Sequence, residues 1–230
     1  MGARQYEAIG YRADRRLVMP YGFDCEQLQP DAEARSSVRA ELGLDEGTPL
    51  IGLVARYHPM KDHANFLTAA SLLAKQDPTA HFLLVGPNVD ASNQELSAKI
   101  ATLGLQERVH LLGERRDIPR INAALDIAST TSCWGEGFPN VIGEAMACGV
   151  PCVVTDVGDS ALIVGETGRV VPPRDPRALA AAWRDMLQMD RETRGGLGER
   201  ARARIVTHFS LNEIARRHEK LYTEIVYGPT

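Results

Sequence analysis

Short apolar runs alternate with longer amphipathic stretches along most of the chain. The clearest runs are about five residues long and almost continuously apolar, as expected for strands that are covered on both faces. Such strands are predicted at 50–55, 81–85, 109–112, 127–130 and 152–155. A shorter apolar run at 17–20 ends in a predicted turn at 21–24.

Apolar residues at helical spacing fill the segments between these runs. Helices are predicted at 32–42, 63–75, 94–103, 118–124, 139–147, 175–189, 191–208 and 210–226. Strands of about five residues separated by helices of about ten or more form βαβ units with right-handed crossovers. The chain is therefore predicted to be an α/β protein with a Rossmann-like, doubly wound parallel sheet.

Charge and composition argue against nucleic acid, a membrane span and a metal ion as features of this chain. The formal net charge of −4 argues against general binding to nucleic acid. No stretch approaches the ~20 apolar residues of a membrane span, and the opening residues lack the apolar core of a signal peptide. We expect a cytoplasmic protein, with the inner face of the membrane as the alternative location of the full-length protein. The cysteines and histidines lack metal-ligand spacing, so no metal site is predicted.

Two cations follow the first predicted strand. In doubly wound sheets, ligands bind beyond the carboxyl ends of the strands, and Arg56 and Lys61 stand directly after the run at 50–55. Arg offers a fork of donors to phosphate oxygens, while Lys supplies a mobile point charge. The pair can converge on one anion. The alternative is that both are solvated surface charges.

A second cluster follows the strand at 127–130. Pro139 suits the first position of a helix, and the glycines before it allow a ligand to approach the backbone. The N–H groups of Asn140 and Val141 then point out of the helix start, where the helix dipole favours an anion. This pattern predicts a phosphate site without identifying which phosphate.

Two carboxylates accompany this phosphate site. With a diphosphate at the helix start, Glu136 is placed on the sugar side and Glu144 on the nucleoside side. A charged acceptor binds sugar hydroxyls about twice as strongly as a neutral one. The alternative is that Glu144 is a helix-surface residue and Glu136 a loop acid near the helix dipole.

A third, weaker signal lies at 111–117. Gly113 indicates a tight turn whose backbone can meet a flat base, and Asp117 is a candidate N-cap for the short helix that follows.

Together these segments resemble the C-terminal, donor-binding domain of the retaining GT-B glycosyltransferases of family 4, also called glycosyl transferases group 1. The stretch EGFPNVIGE at 136–144 is similar to that family's E-x7-E motif, and AMACGVP follows it at 145–151. Segments at 85–86, 108–113, 155–158 and 170–176 match in order and spacing. The resemblance covers roughly residues 17 to 226.

The resemblance implies specific roles. Arg56 and Lys61 would bind the donor diphosphate and stabilise the leaving group, and Glu136 would contact the donor sugar. Glu144 would contact the ribose, and the backbone around Leu112 would face the base. The helix start would receive the phosphates through Gly137, Phe138, Asn140 and Val141.

The family also implies a chemistry. The donor would be a nucleoside-diphosphate sugar and the acceptor a saccharide or a lipid-linked molecule, in cell-surface polysaccharide or glycoconjugate synthesis. Transfer would retain the anomeric configuration and need neither a metal ion nor another cofactor.

The chain departs from the family pattern at two positions. Asp62 stands where the family often has glycine, which adds a negative charge beside Lys61 and is expected to affect donor choice or affinity. Pro139 stands where the family often has glycine, which removes one backbone donor.

A complete enzyme of this kind has a second domain that binds the acceptor. We expect 1–16 to be a remnant of that N-terminal domain, 17–209 the nucleotide-sugar-binding domain, and 210–230 a helix that crosses back to the missing domain. The chain alone is then expected to transfer nothing. The apolar positions of the last helix are expected to be partly exposed, namely Leu211, Ile214, Leu221 and Ile225.

Two other function classes stay open. Sugar-nucleotide epimerases share the GT-B fold, although the E-x7-E stretch argues against them. A non-catalytic nucleotide-sugar-binding module is the other alternative, because a fold does not fix a function.

Overall fold

The computed structural model describes residues 7–12 and 17–228, and one parallel sheet forms its centre. The strand order is β3-β2-β1-β4-β5-β6, with parallel pairing throughout. The predicted doubly wound sheet is thus confirmed. Its strands are β1 Leu50–Val54, β2 His81–Val85, β3 Val109–Leu111, β4 Ile127–Thr130, β5 Cys152–Thr155 and β6 Arg169–Val171.

Helices cover both faces of the sheet. A short 3₁₀ helix, Pro59–Lys61, lies between β1 and the second helix. The longer elements are α1 Ala32–Glu41, α2 His63–Ala74, α3 Gln94–Thr102, α4 Ile118–Ala124, α5 Asn140–Ala147, α6 Ser160–Val164, α7 Pro176–Leu187, α8 Arg191–Phe209 and α9 Leu211–Tyr227.

Each face of the sheet has its own hydrophobic core. On one face, Phe66 of α2, Phe82 of β2 and Trp183 of α7 form an aromatic cluster, with ring centroids 5.0 to 6.2 Å apart. The buried Trp183 indole N–H donates to Ser129 Oγ at 2.7 Å. On the other face, α5 and α8 pack together and bury Met146 and Ile205. Buried on both faces, β1, β2 and β5 are mostly apolar runs, while β4 ends in the buried polar residues Ser129 and Thr130.

Some elements differ from the sequence-based expectations. The strand β6 was not predicted from the pattern because two of its three residues are exposed, and the helix α6 was not predicted because it has only 5 residues. The apolar run at 17–20 forms no strand; Leu17 and Val18 are exposed, and Phe23 instead makes an isolated bridge with Ser210. Pro139 occupies the N-cap position of α5, so the prediction that it begins the helix was wrong by one residue.

The last helix is partly exposed, as expected, but not at every predicted position. Leu211 and Ile225 are 50% and 71% exposed and Leu221 is half-buried, whereas Ile214 is buried beneath the segment that contains Gly22. The division into 1–16, 17–209 and 210–230 stays a prediction, and part of it falls on 1–6, 13–16 and 229–230, outside the described residues. No helix in the described ranges has the length and apolarity needed to cross a membrane.

Asp126 joins α1 to the start of the central strands. Its carboxylate accepts hydrogen bonds from Arg35 Nη2 at 2.9 Å, from Arg39 Nη2 at 2.7 Å and from the N–H of Leu50 at 2.9 Å. The Arg39 side chain is only 1% exposed. Breaking the Arg39–Asp126 ion pair is costly, because removal of Asp126 leaves the buried charge of Arg39 without its counter-ion.

We therefore expect Asp126→Ala to lower the free energy of unfolding by about 3 kcal/mol, measured by urea denaturation at neutral pH. Asp185→Ala is the matched control, because Asp185 is exposed and pairs with its neighbour Arg184 at the surface; it should change the same quantity by less than about 0.5 kcal/mol. Equal effects of the two variants would contradict this account of Asp126.

Candidate functional site

The candidate site lies where the order of the strands reverses. β1 and β4 are neighbours in the sheet, but the chain leaves them toward opposite faces. After β1 it enters α2, whose Phe66 belongs to one core, and after β4 it enters α5, whose Ile142 belongs to the other. This divergence opens a crevice at the carboxyl ends of the strands, which is where such sheets bind ligands.

The loop after β1 depends on a left-handed residue. Asp62 has φ 49° and ψ 54°, a conformation that favours glycine, and its carboxylate accepts a hydrogen bond from the N–H of Asn65 at 3.1 Å. Asp residues tolerate this region better than most, and the cap stabilises the start of α2. The departure from glycine therefore has a structural role, while an effect on donor choice stays a prediction.

The loop after β4 is hydrogen-bonded to the loop after β1. The hydroxyl of Thr131 donates to the carbonyl of Lys61 at 2.6 Å, and the N–H of Cys133 donates to the carbonyl of Met60 at 2.9 Å. From the end of β5, the hydroxyl of Thr155 donates to the carbonyl of Ser132 at 2.7 Å. These hydrogen bonds connect the carboxyl ends of β1, β4 and β5 and fix the positions of the loops that follow β1 and β4.

Lys61 and Glu136 form an ion pair across the crevice. Lys61 Nζ contacts Glu136 Oε1, and the hydroxyl of the buried Ser132 donates to the same oxygen. The two charged side chains are only 19% and 10% exposed, respectively. No described residue donates to Glu136 Oε2, so this oxygen can accept a hydrogen bond from a ligand.

A third loop supports the segment around Glu136. Gly158 has φ 64°, and a Cβ built there would lie 2.6 Å from the carbonyl oxygens of Glu136 and Gly137. The N–H of Asp159 donates to the carbonyl of Gly137 at 2.8 Å. Only glycine allows this approach of two backbones, and the contact orients Gly137 from behind.

The start of α5 offers unoccupied donors. Pro139 precedes the helix, and no described residue accepts a hydrogen bond from the N–H of Asn140 or Val141. The Phe138 side chain packs between aromatic rings, 6.1 Å from Phe23 and 5.9 Å from Phe209 by ring centroid. Its backbone is thus the part of Phe138 that remains for a ligand.

Two predicted site residues have no partner within the part of the chain that the structure describes. Arg56 is exposed, and its guanidinium pairs with no other described group. Glu144 lies one turn after Asn140 on the same face of α5 and is half-buried. Burial raises the pKa of this carboxyl above its ordinary value of 4.5.

The predicted base-facing segment has one free acceptor. The N–H groups of Leu112 and Gly113 donate to the carbonyls of Leu84 and Val89 at 3.1 and 2.8 Å. No described N–H bonds the carbonyl of Leu112. Asp117 does stand at the N-cap position of α4 but makes no cap; its carboxylate binds Arg115 and Arg120 instead, which corrects the capping prediction.

The structure also brings in residues that the sequence patterns did not single out. Ser132 and Thr155 hold the Glu136 loop, and His63 is buried directly beside the Lys61 turn. These three residues belong to no motif with a recognisable spacing, so the sequence alone did not indicate their positions in the site. No group of three or more His, Cys, Asp or Glu side chains among the described residues could hold a metal ion.

Comparison with known proteins identifies the family. The family described as "Glycosyl transferases group 1" matches residues 48–189, more than half of the chain. The chain belongs to this family. It is 31% identical over 220 residues to the lipopolysaccharide core biosynthesis mannosyltransferase LpsB of Rhizobium meliloti, a match that covers 91% of this chain and 61% of LpsB.

Solved structures support the same assignment. HepE of Anabaena, determined in complex with UDP and glucose, is 27% identical with a TM-score of 0.86, over 96% of this chain and 60% of HepE. The C-terminal domain of the group 1 glycosyl transferase LpcC of Francisella tularensis shares the fold, with 24% identity and a TM-score of 0.70 over 83% of this chain and 100% of that domain. The chain thus spans less than two thirds of LpsB and HepE and corresponds to the C-terminal domain of a GT-B glycosyltransferase.

The half-buried, unpaired carboxylate of Glu144 predicts that the Glu144→Gln variant is more stable than the parent chain. An unpaired carboxylate resists burial, so the neutral amide should raise the free energy of unfolding at pH 7 by up to about 1 kcal/mol, a value kept small because the site is partly hydrated. Because the pKa is raised in the folded state, the gain should be absent below pH 4.5 and grow as the pH rises through the pKa of folded Glu144.

Urea denaturation of this variant and of the parent chain at several pH values measures the effect. Glu107→Gln serves as the matched control, because Glu107 is exposed. A gain that is largest in acid, or one shared by the control, would show that Glu144 is not strained by burial.

Proposed function

We propose that this chain binds a nucleoside-diphosphate sugar in the crevice between the β1 and β4 loops, for transfer of the sugar to a saccharide or lipid-linked acceptor in glycoconjugate synthesis. The observation that carries the proposal is the Lys61–Glu136 pair, which sets a cation and a carboxylate side by side near the open start of α5. The cation can bind the negatively charged diphosphate, and the carboxylate can accept a hydrogen bond from a sugar hydroxyl.

The diphosphate is assigned to the positive side of the crevice. Lys61 supplies an ammonium group whose position is fixed by its contact with Glu136. Arg56 supplies an unpaired guanidinium, and the N–H groups of Asn140 and Val141 supply backbone donors at the positive end of the α5 dipole. Charged donors fixed before the ligand arrives stabilise negative charge without reorganising when it develops.

The sugar is assigned to Glu136. Oε1 is occupied by Lys61 and Ser132, so Oε2 is the oxygen that would accept a sugar hydroxyl. The same two contacts hold Oε1 in place and so fix the direction in which Oε2 faces. In this assignment Glu136 sits at the junction of sugar and diphosphate, where the bond to be broken lies.

The nucleoside is assigned to Glu144 and Leu112. A half-buried, unpaired carboxylate is costly in the empty chain and becomes favourable when two ribose hydroxyls donate to it. The free carbonyl of Leu112 can accept a hydrogen bond from a base N–H. HepE was solved with UDP and glucose, and this supports uracil as the first base to test.

We propose further that transfer is metal-independent and retains the anomeric configuration. As the bond from sugar carbon to phosphate oxygen breaks, charge develops on the leaving diphosphate. Arg56, Lys61 and the start of α5 would stabilise that charge in place of a metal cation. Proton NMR of the anomeric signal of the product formed by the full-length protein tests retention, and an inverted product would contradict it.

Titration calorimetry of the chain with UDP, GDP and ADP tests the donor site directly. We expect one of the three nucleotides to bind, with no change when EDTA is added. Arg56→Ala and Lys61→Ala should each weaken that binding tenfold or more, because each removes a charge-assisted contact to phosphate.

Matched control variants distinguish the loss of a local contact to phosphate from the effect of a lower net positive charge on nucleotide affinity. Arg200→Ala and Lys75→Ala remove the same charges from exposed positions on α8 and just after α2, and they should leave the affinity unchanged. Equal weakening by the control variants, loss of binding in EDTA, or failure of all three nucleotides to bind would contradict the proposed site.

A further inference from the structure

Two histidine side chains meet at the edge of the sheet that β3 forms. His81 begins β2, and His110 is the middle residue of β3. His110 pairs with Leu83, two positions after His81, so both side chains lie on the same face of the sheet. The Nδ1 atom of His81 lies 3.0 Å from the Nε2 atom of His110, and the stacked rings have centroids 5.2 Å apart. A hydrogen bond within this histidine pair thus joins β3 to β2.

A hydrogen bond between two imidazole rings depends on how many protons the rings carry. When both rings are neutral, one of the facing nitrogens donates and the other accepts. A pair with one extra proton keeps this arrangement, because the charged ring donates to the neutral one. When both rings are charged, each ring nitrogen is a donor and the two facing nitrogens repel each other. The contact between His81 and His110 therefore cannot persist once the pair takes up a second proton.

The surroundings of the histidine pair oppose its protonation. Burial lowers the pKa of both rings below the ordinary value of 6.5, and His81 lowers the pKa of His110 further. Arg108, which precedes β3, adds to the lowering of the His81 pKa, and its Nη1 atom donates to the carbonyl of Ala74 at 3.2 Å. Among the described residues, no carboxylate acts on the pKa of either ring. Positive charge on the pair is thus left without a counter-ion.

The strand β3 is weakly attached to the rest of the sheet. It has three residues, each only partly buried, and it lies at the end of the strand order, with β2 as its neighbour. The chain continues from β3 into Leu112, whose N–H donates to the carbonyl of Leu84 on β2 at 3.1 Å. Segments with little buried apolar surface open locally at a small cost in free energy. A side-chain contact that joins β3 to β2 therefore matters more here than at the centre of the sheet.

We propose that the histidine pair is a pH-sensitive contact that holds β3 on β2 while it carries at most one proton, and that a second proton releases β3 together with the turn at Leu112 and Gly113. The Leu112 carbonyl is the group assigned above to the base, so release of this turn would weaken nucleoside binding in acid. That consequence rests on the proposed function, whereas the pH-sensitive contact itself does not.

The direction of the pH effect follows from the pKa values of the two rings. Both are lowered in the folded chain, so the released strand takes up protons before the attached one does as the pH falls below 6.5. The stabilisation that the pair gives to β3 is therefore fully present above pH 6.5 and is lost progressively below it.

Histidine NMR and amide hydrogen exchange test the proposal on the chain without any ligand. The ring signals are assigned by their loss in His81→Gln and His110→Gln, and in the parent chain they should titrate in two coupled steps. After correction for the intrinsic exchange rate, the protection of the Leu112 amide should fall at least about tenfold from pH 7 to pH 5. The amides of β1, a central strand, should lose less than about twofold and so show that the chain stays folded.

Two variants distinguish the histidine pair from general effects of acid. In His110→Gln, the amide can still hydrogen-bond to the ring of His81 but takes up no proton, so the fall in Leu112 protection should shrink to about threefold or less. In the double variant His81→Gln/His110→Gln, the fall should disappear. His208→Gln is the matched control, because His208 is exposed on α8, and it should show the same fall as the parent chain.

The outcomes separate this inference from the donor proposal. Unchanged Leu112 protection in the parent chain, an equal fall in the double variant, or two rings that titrate independently near pH 6.5 would each overturn the pH-sensitive contact. Failure of every nucleotide to bind would overturn the donor proposal alone, because the exchange experiment needs no nucleotide. With both upheld, the affinity for UDP should fall more from pH 7 to pH 5 in the parent chain than in the double variant.

Discussion

The ion pair between Lys61 and Glu136 connects the two halves of the sheet at the point where their helices diverge. Lys61 comes from the loop after β1 and Glu136 from the loop after β4, and the two residues are 75 positions apart in the sequence. Two mostly buried charges are stable only when their remaining hydrogen-bonding capacity is met. The hydroxyl of Ser132 donates to Glu136 and contributes to that requirement. The bond from the hydroxyl of Thr131 to the backbone carbonyl of Lys61 holds the Lys61 turn in place.

The rest of the site follows from holding this pair in place. Asp62 adopts a left-handed conformation so that the chain can turn from Lys61 directly into α2, and Gly158 lets the β5 loop press against the Glu136 backbone. The same turn buries His63 at the start of α2. One arrangement of three loops therefore accounts for the position of the charged groups in the crevice.

Much of the fold was predictable because burial on two faces leaves a plain signal. The strands β1, β2 and β5 are mostly apolar runs without Asp, Glu, Lys or Arg, β4 adds the buried Ser129 and Thr130, and these strands alternate along the chain with amphipathic helices. The strand β6 gives no such signal, because it has three residues of which Arg169 and Val170 are exposed. The apolar run at 17–20 resembles a strand in sequence but forms none in the structure, because it has no neighbouring strand to pair with.

The candidate site was predictable as a set of residues but not as a geometry. The position of Arg56, Lys61, Glu136 and Glu144 after strands or on the helix that follows indicated one site. Sequence reasoning assigned Lys61 to phosphate and Glu136 to sugar, and it did not anticipate that the two side chains touch. Contacts between distant loops depend on the tertiary fold, and so do the burial of His63 and the loss of Asp117 as a cap.

The most direct test of the central claim is a crystal structure of the chain with UDP bound. The account predicts the diphosphate between Arg56, Lys61 and the N–H groups of Asn140 and Val141, with Glu136 Oε2 facing the space beyond the terminal phosphate and the ribose on Glu144. A diphosphate bound elsewhere on the chain, with the Lys61–Glu136 pair untouched, would contradict it.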